Sequence, residues 1–73
     1  MREVIIEALK KHAEGHIEKL RANIEVLLEK TACIAEHPDT LETIEKELAI
    51  IAEYDDQLEM LNKYFIKKDP FKQ

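Results

Sequence analysis

An all-α fold, specifically an antiparallel two-helix hairpin that dimerises into a four-helix bundle, is predicted by three features of this sequence. Two long stretches carry apolar residues at alternating steps of three and four, the signature of a one-sided helical stripe. A proline separates the stretches. Apolar residues outside the stripes outnumber what one partner helix can cover.

The first helix is expected over residues 2–36. This stretch holds no proline, one glycine and a steady supply of Ala, Leu, Ile, Glu and Lys. Its stripe runs Ile6, Leu9, Ala13, Ile17, Leu20, Ile24, Leu27, Thr31 and Ile34. Residues 37–39 form the turn: Pro38 lacks an amide hydrogen and pushes His37 out of the α region. The second helix is expected over 40–67, with Asp39 as N-cap, Glu42 completing a capping box, and Glu45 near the positive end of the dipole. Its stripe is Leu41, Ile44, Leu48, Ile51, Leu58, Leu61 and Phe65, with Asp55 in the slot where an apolar residue is due. Residues 1–67 thus make one hairpin domain, and 68–73, which contain Pro70, a flexible tail.

So short a turn forces antiparallel neighbours. Pairing residues whose numbers add to about 75 sets Ile34 opposite Leu41, Leu27 opposite Leu48 and Ile17 opposite Leu58. Such a rod, with helices of roughly 50 Å and a little over 40 Å, has little interior. The half nearest the turn carries further apolar residues, Val26, Leu28, Ala32, Cys33 and Ala35 on one helix and Ala49, Ile50 and Ala52 on the other. These eight are the expected oligomer interface, as in a coiled-coil-like bundle of two hairpins.

Composition narrows the class. A domain of 73 residues hides only about 60% of its unfolded surface, so its core needs a supplement. Cys33 is the only cysteine, which leaves oligomerisation or a metal and fits a reducing compartment. The longest apolar run, Leu48 to Ala52, is far short of the roughly 20 residues of a membrane span, and no signal-like segment precedes Lys10. A cytoplasmic setting without membrane contact is expected. The formal net charge of −5 disfavours direct nucleic-acid binding. Basic residues cluster at Lys10-Lys11 and at Lys63, Lys67, Lys68 and Lys72, which the hairpin brings to its open end.

Few constellations carry chemistry. His12 and His16, four apart on one helix, point two imidazoles to the same place, and the register above sets Glu59, with Asp55 and Asp56 nearby, opposite them. The spacing differs from the zinc-protease motif, whose glutamate directly follows the first histidine, so the bland alternative is a pair of helix-face histidines beside acids. Asp55 is read as a polar residue fixing register against Arg21 or His16, and otherwise as a partner contact. Cys33 reads as a small hydrophobe with no base placed to activate it. Gly15 is the only glycine, which excludes a phosphate-binding loop. No catalytic residue, resident metal or cofactor is expected.

The segments Gly15-His16-Ile17, Glu36-His37-Pro38-Asp39 and Ile51-Ala52-Glu53-Tyr54-Asp55-Asp56-Gln57-Leu58-Glu59-Met60-Leu61 resemble short helical proteins encoded by T4-like tailed phages, especially marine ones. The resemblance implies a setting, the infected host cytoplasm or the virion, and no chemistry. The expected function is a small non-enzymatic protein–protein interaction module, a homodimer serving as a phage accessory or modulator protein with a host or phage protein partner. The alternatives are a metal-binding bundle using His12, His16 and Glu59, and an acidic nucleic-acid mimic, which requires carboxylates arrayed along one face.

Overall fold

The computed structural model describes residues 1–30 and 39–66. They form two helices, α1 (Arg2–Glu29) and α2 (Asp39–Tyr64), packed side by side. The contacts between them run in opposite senses along the chain: Arg2 reaches the Phe65 carbonyl, His16 meets Tyr54, and Asn23 bonds Glu47, so the pair is antiparallel. Ala32, Cys33, Ala35, the turn at 37–38 and the tail lie outside the described residues.

Both helices end earlier than the apolar periodicity predicts. At Lys30 the backbone leaves helical geometry (φ −93°, ψ 43°), and its amide donates to the Leu27 carbonyl at 3.1 Å, a bond that tightens the last turn of α1. No proline or glycine marks this end, so a reading by breakers carries the helix on to Glu36. At the far end, the Phe65 and Ile66 amides both donate to the Leu61 carbonyl, at 2.9 and 3.0 Å, and close α2. Asp39 stands as the first helical residue, with Glu42 in the same turn, so both carboxylates meet the positive end of the dipole.

The shorter α1 changes the register. Facing residues add to 70 at both His16–Tyr54 and Asn23–Glu47, instead of the expected 75. Every pairing across the hairpin therefore moves by more than a helical turn. The stripes turn with it. On α1 the less exposed residues are Ile6, Lys10, Ala13, His16, Ile17, Leu20, Ile24 and Leu27, so the Lys10 stem takes the slot expected of Leu9. On α2 they include Ile44, Glu47, Ile51, Tyr54, Leu58 and Leu61, so Glu47 replaces Leu48 and Tyr54 replaces Asp55.

Only Ala13 (1% exposed) and Ile24 (8%) are buried among the described residues. The shortest dimension is 15 Å, close to the roughly 10–12 Å of a single helix with its side chains, so the hairpin is one layer thick. Two surface ion pairs, Arg21–Glu18 at 3.0 Å and Lys46–Glu42 at 3.6 Å, lie within single helices and contribute little.

Polar residues set the register from within the seam. Asn23 donates its side-chain amide to one Glu47 carboxylate oxygen, while the other, Oε2, is buried without a hydrogen-bond partner. This pair, rather than Asp55 with Arg21 or His16, is the polar step between the helices. Asp55 is exposed, and Arg21 is bonded to Glu18.

Two stability predictions follow from these contacts. Asn23→Ala removes the bond holding the Glu47 carboxylate and, at this exposed contact, should destabilise the protein by about 0.5–1 kcal/mol, whereas the double change Asn23→Leu with Glu47→Leu should equal or exceed the parent's melting temperature. Gly15 is helical, and a methyl added there meets nothing within 4 Å. Gly15→Ala should therefore stabilise the protein by about 0.5–1 kcal/mol, measurable by thermal or urea unfolding.

Candidate interaction surface

A one-layer hairpin has two broad sides, and their chemistry differs. Advancing about 100° per residue, α1 presents Ile5, Leu9, His12, His16 and Asn23 along one edge of its seam. Beside this edge α2 presents Ile50, Tyr54, Gln57, Leu61 and Phe65. None of these ten residues is charged; Glu47, three residues before Ile50 on the same stripe and bonded to Asn23, is an acid of this edge. Near the open end they form adjoining grooves that share Leu9, Leu61 and Phe65 and also involve Ile5 and Met60, with Arg2 at the edge of one and Asp56 at the edge of the other.

Three rings occupy the middle of this side. His16 stacks on Tyr54 with centroids 4.8 Å apart and planes 15° from parallel. His12 meets the same ring edge-on at 5.9 Å and stands 4.5 Å from His16. Offset stacking and edge contacts of this kind add to simple burial. The cluster follows directly from the register: at a sum of 75 Glu59 lies opposite His16, and at 70 Tyr54 does.

The metal candidates consequently separate. Glu59 lies on the other broad side, in a groove with Lys10, Glu14, Asp55, Leu58 and Asn62. His12 and His16 line a shallow depression with Lys11, Gly15 and Lys19. Among the described residues no three His, Cys, Asp or Glu side chains gather as a metal-holding group.

The second side is acidic. Glu3, Glu7, Glu14, Glu18 and Glu25 follow one another down α1 at helical spacing, interrupted by Lys10 and by Arg21, which bonds Glu18. The groove residues link them to Asp55 and Glu59 across the seam. Leu48, seven residues before Asp55 and so on its stripe, is 53% exposed there.

Of the expected interface residues, Val26, Leu28, Ala49, Ile50 and Ala52 are all exposed. They do not share a side: Val26 and Leu28 are about 200° apart around α1, as are Ile50 and Ala52 around α2. Ile50 is the one that falls on the Tyr54 stripe. Periodicity measured within each helix does not show this, because which residues adjoin depends on the register.

Compared with known protein families, curated proteins and solved structures, the chain matches none. No helix among the described residues is long and apolar enough to cross a membrane. The surface chemistry therefore carries the functional reading alone.

The ring cluster is testable in solution. Tyr54→Leu should lower stability by about 0.5–1.5 kcal/mol beyond the loss of area, and should shift the ring resonances of the stacked His16 downfield as the shielding ring current disappears. Unmoved imidazole signals would contradict the stack.

Proposed function

We propose that this protein is a small non-enzymatic protein–protein interaction module that self-associates, two hairpins forming a four-helix bundle. One observation supports the reading above others: the surface left uncovered. The chain exposes 6164 Å², against roughly 4,700 Å² for a compact folded chain of the same mass. The difference, on the order of 1,500 Å², exceeds the roughly 800 Å² that one partner contributes to a standard interface.

The exposed surface is also of the right kind. Ile5, Leu9, Val26, Leu41, Leu48 and Phe65 are each more than half exposed, a level that isolated surface residues reach but a run of them in one small chain rarely does. The phage resemblance supplies a setting for such a module, the cytoplasm of an infected cell and a host or phage protein as the final partner. Sedimentation equilibrium at micromolar concentration should return twice the 8.5 kDa chain mass. A folded species of single-chain mass would contradict the reading.

The acid-lined side favours a second reading, mimicry of a nucleic acid, because its carboxylates stand in a row along α1. In that case the protein should displace duplex DNA from a basic DNA-binding protein, with a competition that weakens steeply as salt rises. Absence of displacement at low salt would dispose of it.

A further inference from the structure

We infer that the less acidic broad side, centred on His12, His16 and Tyr54, is the surface on which a second copy of this chain docks. The inference rests on the self-association proposed above and names the face that performs it. Charge decides between the two sides. A two-fold contact sets each patch against its own copy, so the acidic side would bring Glu3, Glu7, Glu14 and Glu18 of one protomer against the same carboxylates of the other. In a chain with a formal net charge of −5 that contact is repulsive. The opposite side holds fewer acids, Glu47 bonded to Asn23 on the α2 stripe and Asp56 at the groove edge, and none on the α1 stripe.

Apolar area supports the same choice. Ile5 (53% exposed), Leu9 (51%) and Phe65 (53%) lie beside Leu61 in continuous grooves, and Ile50 extends the stripe on the other side of the rings. On the acidic side Leu41 and Leu48 stand among carboxylates. A standard interface takes roughly 800 Å² from each partner, and the excess exposed surface, counted over the whole chain, is larger than that.

The position of the rings supplies the geometry. His16 sits at the midpoint of Arg2–Glu29, and Tyr54 close to that of Asp39–Tyr64. Two rods overlapping over their full length meet middle to middle, whether they run parallel or opposed. The ring clusters of the two copies therefore face each other near the two-fold axis, with the apolar grooves to either side. Aromatic anchors at the centre and polar residues at the edge are the usual distribution of binding energy.

The test compares sides within one measurement. Leu9→Glu and Ile50→Glu, one on each side of the rings, should each weaken the dimer at least tenfold by sedimentation. Leu48→Glu, on the acidic side and equally exposed, should leave it within twofold. Because a dissociated hairpin can also unfold, a cross-linking arm reads contact without mutating the apolar residues. In a Cys33→Ser background, His12→Cys or His16→Cys should form a disulfide-linked dimer under mild oxidation, and Leu48→Cys should not. If the wild type is dimeric but Leu48→Glu dissociates it and Leu48→Cys cross-links, the face is misassigned while self-association stands. If the wild type is a folded monomer at 100 times the concentration used for the variants, both fall, and the side is left to a different kind of partner.

Discussion

Two helices laid side by side touch along a single line, and everything else in this protein follows from that limit. A side chain on the seam is covered from one direction only, so full burial requires a small residue where the backbones come close, as at Ala13, or a position flanked on both sides, as at Ile24. Larger residues of the same stripes remain partly open. A chain with 45% hydrophobic residues cannot satisfy them in one layer. On the self-association proposed above, a second hairpin supplies the second layer.

The same limit explains the polar content of the seam. Because most seam positions keep an edge to water, Lys10 can lay its stem along the groove with its ammonium outside, and Asn23 and Glu47 can meet across it. A buried, unpaired carboxylate oxygen at Glu47 is an unfavourable feature in a marginal core. It has a compensating effect on specificity: sliding the helices by one turn would leave both polar partners without each other, so the 70-sum register is selected over its neighbours. That register in turn brings Tyr54 to His12 and His16. One polar pair thus determines which chemistry appears at the middle of the exposed side.

What the sequence discloses follows the range of the interactions involved. Helix identity, the start at Arg2, the restart at Asp39 and the antiparallel arrangement are all legible, because they rest on local propensity, one proline and a period. The end of α1 at Glu29 is not legible, since the residues after it include no breaker. From that error come the others: a register of 75, Leu9, Leu48 and Asp55 in place of Lys10, Glu47 and Tyr54, and Glu59 opposite the histidines. The ring cluster had a signal available, His12, His16 and Tyr54 all falling on 3–4 stripes, but only the correct register connects them.

We propose that a single hairpin is half of a folding unit. The most direct test is the dependence of thermal stability on protein concentration, followed by helical circular dichroism over a hundredfold range. If folding and association are coupled, the midpoint rises steadily with concentration, because mass action favours the assembled state. A midpoint that stays constant across that range would contradict the claim and show that one layer of two helices is sufficient.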